Sequence, residues 1–302
     1  MGTPEFAVPS LTALAGSEEV SLVVTNPDRP SGRGQVLSPP PVKVAALRMG
    51  LPVFQPEKAR SPDSVARIAA EKPDLIVVVA YGHILPKSIL DIPARGCINV
   101  HASLLPKYRG AAPINWAVVR GETVTGVTIM KMDVGMDTGP MLLSREIPIG
   151  GEDTAETLYP RLSLLGAEAL TEALRRLREG TLPEIPQDDS LATTAPMLRK
   201  EHGRIDWARP AAEVRNLIRG MTPWPSAFAA HDGKPLKILS ASLREGKGEP
   251  GEILDVGREG MLVACGDGAI ALGRVQPEGG RPMASRDYAH GRRVRKGDRL
   301  SG

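Results

Sequence analysis

Residues 74–80 read DLIVVVA, an unbroken apolar run that begins just after a Pro-containing polar turn. A run of this length is typical of a strand buried on both faces of a parallel sheet. Shorter apolar runs at 20–25, 52–54 and 98–101 predict further strands, and helical spacing between them, for example over 62–71, predicts connecting helices. This alternation predicts a doubly wound α/β domain.

The second half of the chain carries a different pattern. Strands are predicted over 123–130 and 141–147, and a long amphipathic helix over 153–178. A Pro- and Asp-rich stretch follows, and beyond it residues 226–275 contain short apolar runs separated by glycines, which predict a small β-barrel. The predicted organisation is an α/β domain at 1–182, a linker at 183–199 and a second domain at 200–302.

Charge is distributed unevenly along the 302 residues. Residues 1–199 hold 20 basic and 22 acidic side chains, and residues 200–302 hold 18 and 13, so the formal net charge of +3 is the sum of −2 and +5. A basic second domain favours a polyanionic partner, and a solvated basic surface without a partner is the alternative.

The cysteines and the apolar runs indicate the compartment. Cys97 and Cys265 both lie in apolar runs, which predicts buried thiols and a reducing environment. The sequence has no apolar run of about 18 residues and no signal-peptide pattern, so we expect a cytoplasmic protein.

Three polar side chains between residues 97 and 140 suggest chemistry. Asn99 and His101 are two residues apart, so on a strand they lie on one face, and Asp137 follows in a loop between two glycines. A carboxamide, an imidazole and a carboxylate in one cleft can stabilise an oxyanion and move a proton without a metal or a covalent nucleophile. The structural alternatives are a strand cap for Asn99, a buried polar contact for His101 and turn chemistry for Asp137.

No metal or dinucleotide is expected. The Gly-Thr-Pro at residues 2–4 lacks the Gly-x-Gly-x-x-Gly spacing that binds NAD. The other histidines lack the partner spacing of a zinc site; these are His83, His202, His231 and His290.

Longer motifs surround the three polar residues. Residues 99–106 read NVHASLLP, 108–114 read YRGAAPI, 126–129 read GVTI and 132–139 read MDVGMDTG. Together they resemble the formyltetrahydrofolate-dependent formyltransferases. Four more motifs are similar to the branch of that family that formylates methionyl initiator tRNA: GTPEFAVPSL at 2–11, PDRPSGRG at 27–34, RIDW at 204–207 and PWP at 223–225. The resemblance runs from Gly2 to Leu300.

The resemblance implies a Rossmann-like formyltransferase domain followed by an OB-like β-barrel domain that binds tRNA. It implies transfer of the formyl group of 10-formyltetrahydrofolate to the amino group of methionine on initiator tRNA, by a monomer. The family's catalytic residues fall on Asn99, His101 and Asp137. Its folate-binding segment falls on Ser103, Leu104, Leu105 and Pro106. Its tRNA-binding loop falls on 28–43, with Arg29, Arg33 and Lys43.

The sequence departs from the family pattern at two places. Family members carry an apolar strand ahead of the Gly-Thr-Pro, and this sequence begins where that strand ends, so we expect the natural chain to start upstream. Gln35 and Val36 occupy loop positions where relatives often have lysines, so we expect a weaker basic grip on tRNA.

The implied mechanism leaves alternatives open. Asn99 would donate to the oxyanion, Asp137 would orient the ring, and His101 would either donate to the same oxygen or carry the amine proton to the leaving nitrogen. Leu104 and Leu105 either line a pterin slot or only pack a turn. Two other functions are formylation of a purine-pathway amine or an amino sugar, and RNA binding by a protein with an inactive catalytic domain. The basic second domain argues against the former, and the three polar residues together argue against the latter.

Overall fold

A computed structural model describes residues 1–31 and 36–302. The chain divides into two compact units. The first comprises Met1–Pro113, Val124–Ile147 and Tyr159–Pro196, and the second comprises Ile114–Thr123, Pro148–Leu158 and Met197–Gly302.

Up to residue 178, strands and helices alternate along the chain, as the apolar runs predict. The strands are β1 (Val23–Val24), β2 (Arg29–Ser31), β3 (Val36–Ser38), β4 (Val53–Phe54), β5 (Ile76–Val78), β6 (Cys97–His101), β7 (Val124–Lys131) and β8 (Met141–Pro148). The helices are α1 (Val8–Ser17), α2 (Pro41–Arg48), α3 (Pro62–Ala69), α4 (Lys87–Leu90), α5 (Pro113–Val119) and α6 (Ala155–Arg178).

The main sheet of the first unit has the order β5-β6-β7-β8. Strands β5 and β6 are parallel, with Val78 opposite Asn99, and β6 and β7 are antiparallel, with His101 opposite Thr128. A separate parallel pair joins β1 to β4. The α/β class predicted from the apolar runs is confirmed, although β1 and β5 are shorter than the runs that contain them.

A cavity of about 470 Å³ lies beside Met1, lined largely by apolar residues of α1, β1 and β5. Gly2 N–H donates to the Val24 carbonyl (3.0 Å), and Val79 N–H donates to the Met1 carbonyl (2.9 Å). The Met1 amine donates to the Val77 carbonyl at 2.6 Å. Burial lowers the pKa of this amine from 8.0 to about 6.

The segment predicted as a linker runs along the first unit. Ile185 pairs in an antiparallel bridge with Met141, and Thr194 pairs in a parallel bridge with Arg109. Ala195 N–H donates to the Arg109 carbonyl at 2.7 Å. We call residues 185–195 the strap. The predicted domain boundaries stay a prediction, but the strap itself is packed on the unit that precedes it.

The second unit is rich in β-structure. Its strands are β9 (Ala227–His231), β10 (Lys234–Ile238), β11 (Ala241–Arg244), β12 (Ile253–Gly257), β13 (Gly260–Ala264), β14 (Ala269–Leu272), β15 (Arg274–Pro277) and β16 (Met283–Ala284). They form two four-stranded sheets, ordered β16-β15-β10-β9 and β11-β14-β13-β12, with α7 (Ala211–Gly220) and α8 (Ser285–Arg292). The core of this unit includes Ile218, Leu236 and Ile270. The β-structure predicted from the glycine-punctuated runs is confirmed, and its closure into a barrel stays a prediction.

Both cysteines are buried, as their apolar surroundings predict. Burial raises the pKa of the Cys97 thiol to about 12 and that of the Cys265 thiol to about 11. Neither thiol is therefore ionised near neutral pH, so both are poor nucleophiles in the folded protein.

Candidate active site

Strand β6 carries two of the three predicted catalytic residues toward its C-terminal end. Asn99 and His101 are separated by one residue and therefore project from the same face of the sheet. His101 is buried and Asn99 is half-buried. In an α/β sheet, ligands bind near the carboxyl ends of the parallel strands, which is where β6 places both side chains.

The imidazole of His101 lies between a backbone carbonyl and a carboxylate. Its Nε2 is 2.9 Å from the carbonyl oxygen of Tyr108, and since a carbonyl only accepts, Nε2 carries the hydrogen. Its Nδ1 is 3.6 Å from Asp137 Oδ2, longer than a hydrogen bond but close enough for charge attraction. In the neutral ring, Nδ1 is therefore the nitrogen without a hydrogen.

The loop after β7 brings Asp137 to the imidazole. Asp137 has φ +55°, in the left-handed region that non-glycine residues rarely adopt. Its Oδ2 accepts from the Gly110 N–H at 2.8 Å, and its backbone carbonyl accepts from Gln187 Nε2 at 2.8 Å. Asp133 Oδ1 stabilises the turn by accepting from the Gly135 N–H at 2.9 Å. These contacts fix the carboxylate beside the ring.

Two positions in this site have room only for glycine. A Cβ at Gly139 would overlap the carbonyl oxygen of Lys131. Gly110 has φ +121°, and a Cβ there would lie 2.7 Å from the carbonyl oxygen of Ala195. The glycines therefore allow the Asp137 loop to approach β7 and the strap to approach the loop after β6.

The carboxamide of Asn99 has no hydrogen-bond partner among residues 1–31 and 36–302. If Asn99 capped a strand, its carboxamide would form a hydrogen bond with a neighbouring backbone group. The described residues contain no such bond, so Asn99 is not a strand cap. The half-buried NH₂ group is thus available as a donor to a bound molecule.

The segment predicted to bind folate follows β6 directly. Ser103 is buried, and its Oγ donates to the Lys107 carbonyl at 2.6 Å. Thr128 Oγ1 donates to the Ser103 carbonyl (2.7 Å) and accepts from the Leu105 N–H (3.1 Å). Leu105 is buried, whereas Leu104 and Pro106 are partly exposed. Leu105 therefore packs inside the protein, and Leu104 can contact a ligand. Folate binding by the segment stays a prediction.

The predicted tRNA-binding residues are partly described. Arg29 is exposed on β2. Lys43 forms an ion pair with Asp28 at 2.7 Å. Hydrogen bonds from Gln55 and from Lys43 lower the pKa of the Asp28 carboxyl. Arg33 lies outside the described residues. RNA contact by these residues stays a prediction.

Neither a metal-binding cluster nor a membrane-spanning helix is present in the part of the chain that the structure describes. In residues 1–31 and 36–302, no cluster of three or more His, Cys, Asp or Glu side chains is placed to hold a metal ion. No helix within those same ranges combines the length and the apolar character needed to cross a bilayer.

Both parts of the chain match known protein families. Residues 2–174 match the family described as formyl transferase, and residues 197–293 match the formyl transferase C-terminal domain. The chain belongs to the formyl transferase family. This formyltransferase is 54% identical to the methionyl-tRNA formyltransferase of Geobacter metallireducens, over 99% of its own length and 97% of the relative's. Its identity to the methionyl-tRNA formyltransferase of Geobacter sulfurreducens is 55%, over 99% of its own length and 95% of the relative's.

Solved structures share the formyltransferase fold at lower identity. An N-formyltransferase from Helicobacter canadensis, in complex with folinic acid and dTDP-3-aminofucose, superposes with a TM-score of 0.68 at 20% identity, over 90% of this chain and 97% of that one. Methionyl-tRNA formyltransferase from Clostridium thermocellum superposes with a TM-score of 0.50 at 20% identity, over 65% of this chain and 83% of that one. At these identities the comparison shows the fold alone.

Sequence reasoning missed some parts of the formyltransferase site. The Tyr108 carbonyl and the Gly110 N–H act through the backbone, and Gln187 lies in the segment assigned to the linker. Nothing in residue type or spacing indicates these contacts, because each depends on how distant segments pack.

A further segment could have been found from the sequence. Residues 81–85 follow β5, whose C-terminal end lies beside that of β6 because the two strands are parallel. Asn26 Nδ2 donates to the Tyr81 carbonyl at 3.3 Å, and Asn26 Oδ1 lies 2.9 Å from His83 Nε2. Ile84 is 75% exposed despite its apolar side chain. A loop directly after the DLIVVVA strand is where a ligand is expected in this fold.

Proposed function

We propose that this protein transfers the formyl group of 10-formyltetrahydrofolate to the amino group of methionine on initiator tRNA, forming N-formylmethionyl-tRNA for translation initiation. The observation that carries the proposal is identity of 54–55% to methionyl-tRNA formyltransferases over 99% of the chain. The unpartnered Asn99 carboxamide beside the His101–Asp137 pair supports it, because acyl transfer to an amine needs an oxyanion donor and a proton acceptor.

Asn99 supplies the oxyanion donor. The amine attacks the formyl carbon, and negative charge then develops on the formyl oxygen. A fixed neutral NH₂ group aimed at that oxygen stabilises the transition state without having to reorient. Removing one such donor typically lowers the rate by about 10²–10³-fold, or roughly 2.7–4 kcal/mol.

His101 carries the proton through Nδ1. Its Nε2–H is held by the Tyr108 carbonyl, so Nδ1 is the nitrogen that accepts a proton from the attacking amine. The ring becomes positively charged when it does so, and the Asp137 carboxylate 3.6 Å away stabilises that charge. The same nitrogen then returns the proton to the leaving nitrogen of the folate. Of the two roles that the sequence left open, this geometry supports the proton carrier.

The remaining assignments concern the two substrates. Leu104 and its neighbours would hold the folate, and the loop at 28–43 would contact the tRNA. The net charge of +5 on residues 200–302 adds attraction to phosphate that weakens as salt rises. We further propose that the protein acts in the cytoplasm and as a monomer.

The competing proposal is formylation of a small amine such as a nucleotide-linked amino sugar. It has support from the fold shared with the Helicobacter canadensis enzyme, but the identity is only 20%. An assay with 10-formyltetrahydrofolate should compare methionyl initiator tRNA with uncharged tRNA, free methionine and a dTDP-linked amino sugar. We expect transfer to the charged tRNA alone. Transfer to the sugar instead would overturn the proposal, and binding of tRNA without any transfer would favour an RNA-binding protein.

A variant separates chemistry from binding. His101→Ala should nearly abolish transfer, because it removes the proton carrier, while the Kd for tRNA stays close to that of the wild type. His290→Ala is the matched control, since His290 is exposed on α8. A large loss of tRNA affinity in the His101 variant would contradict its assignment.

A second pair of variants tests the tRNA loop. Arg29→Ala and Arg33→Ala should each weaken tRNA binding and reduce the slope of log K against log salt by about 1, as expected for one lost phosphate contact. Folate binding should be unchanged. If tRNA affinity and turnover are both retained, the loop does not bind tRNA.

A further inference from the structure

The strap reaches the Asp137 loop through one side chain. Gln187 Nε2 donates to the backbone carbonyls of Asp137 and Gly139, at 2.8 and 2.7 Å. Its Oε1 accepts from Nε and Nη2 of Arg109, at 3.0 and 2.8 Å. The carboxamide therefore uses both of its ends, one on the loop and one on the residue next to Tyr108. No other type of side chain of this length offers two N–H donors and an acceptor in one plane.

Arg109 fixes Gln187 from the opposite side. Arg109 Nη2 also donates to Asp189 Oδ1 at 2.7 Å, so its guanidinium binds two residues of the strap. The backbone of Arg109 is itself held by the strap: its N–H donates to the Thr193 carbonyl at 2.9 Å, and its carbonyl accepts from Ala195. The Gln187 side chain is thus held in place by a guanidinium that has little freedom of its own.

The Asp137 loop needs such support. The left-handed backbone at Asp137 persists only where the surrounding structure determines it. Its carboxylate must satisfy two neighbours at once, the Gly110 N–H at 2.8 Å and His101 Nδ1 at 3.6 Å. A shift of the Asp137 backbone by about 1 Å would change both distances, and displacements of that size lower rates by up to about 100-fold.

We propose that Gln187 is a positioning residue for formyl transfer, whose two N–H groups hold the Asp137 loop so that the carboxylate faces His101. The inference rests on the proposed roles of Asp137 and His101. Gln187 acts through the backbone of the loop and on no reacting atom. Its removal should therefore lower the rate of transfer more than the affinity for either substrate.

Three variants test the inference. Gln187→Ala should lower kcat by about 10- to 100-fold, with KM for 10-formyltetrahydrofolate and for methionyl-tRNA within about twofold of wild type. Gln187→Glu keeps an acceptor for Arg109 but sets a carboxylate oxygen against the two loop carbonyls, so it should be impaired as severely. Gln276→Ala is the control, because it removes one glutamine N–H bond to a backbone carbonyl, that of Gly280 at 2.9 Å, in the second unit. Its kcat should match the wild type.

A double-mutant cycle shows whether Gln187 acts through Asp137. With enzyme in excess over substrate, adding Gln187→Ala to an Asp137→Ala background should change the residual rate by less than about twofold. If Gln187→Ala lowers the rate of the Asp137→Ala enzyme by the same factor as it lowers that of the wild type, the inference is overturned. A Gln187→Ala enzyme with wild-type kcat, or a Gln187→Glu enzyme with wild-type kcat, would overturn it as well. Absence of transfer by the wild-type protein, including a form extended upstream of Met1, would refute the proposed function instead, so the two failures are distinct.

Discussion

Replacing Thr128 by valine tests how the segment after β6 is held in place. Thr128 is completely buried on β7. Its hydroxyl donates to the Ser103 carbonyl at 2.7 Å and accepts from the Leu105 N–H at 3.1 Å. Valine has nearly the same shape but no hydroxyl, so the variant leaves two buried backbone groups without this partner and creates no cavity.

The size of the effect follows from those two groups. A buried donor or acceptor that loses its partner destabilises the folded state by about 1–3 kcal/mol. Two such groups at Thr128 predict a decrease of about 2–6 kcal/mol in the free energy of unfolding. That is a large share of the roughly 5–15 kcal/mol by which a domain is stable.

Urea unfolding followed by far-UV circular dichroism measures the change. Thr12→Val is the matched control in the same unit, because the Thr12 hydroxyl donates to the Val8 carbonyl on an exposed helix face, where water can replace it. We expect that control to change stability by no more than about 0.5 kcal/mol. A Thr128→Val protein that loses less than about 1 kcal/mol would show that the hydroxyl does not hold the segment.

Three further predictions concern the thiols, the amine and the loop glycine. Because burial raises their pKa values to about 12 and about 11, Cys97 and Cys265 should not react with a disulfide reagent at pH 8 until urea unfolds the chain; fast reaction of the folded protein would contradict their burial. In a protein whose first residue is Met1, burial lowers the pKa of its amine from 8.0 to about 6, so the unfolded chain binds the proton more readily and the free energy of unfolding should rise by about 1.9 kcal/mol between pH 6 and pH 8. Urea unfolding across that range measures the rise, and N-terminal acetylation should remove this contribution. Gly139→Ala should lower kcat by at least about 10-fold, because the new methyl group displaces the Asp137 loop, whereas Gly151→Ala, where a Cβ meets nothing within 4 Å, should keep wild-type kcat.

Local pattern was enough to predict the fold class. The centre of the DLIVVVA run and the shorter run at 98–101 are strands in the structure, with Ile76 and Val78 buried on β5 and Ile98 and Val100 buried on β6. The spacing of Asn99 and His101 predicted one face of a strand for both, since side chains alternate with a period of two, and β6 contains both residues. Asp137 was predicted from its glycine-rich motif, and the loop does bring it to the imidazole.

The contacts that complete the site were not predictable in the same way. The Tyr108 carbonyl faces His101 from a residue with φ +62°, a conformation that an aromatic residue rarely adopts and that its type does not suggest. The Pro- and Asp-rich composition of the strap is typical of a linker, and nothing local shows that it pairs with Met141 and Arg109. Such pairings depend on tertiary packing over many residues.

The position of the strap in the sequence affects the order in which the enzyme can mature on the ribosome. Asp137 and Ala195 are 58 residues apart in the chain, so at about 5–20 residues per second the last strap residue is added roughly 3–12 s after Asp137. The strands β5–β8 and helix α6, whose Gly166 packs against Val100 and Val127, all end by Arg178, before the strap. The α/β sheet and this helix can therefore form first. During that interval the nascent chain would have its sheet but not the Gln187 contacts, and the Asp137 loop would reach its final position only after the strap had been added.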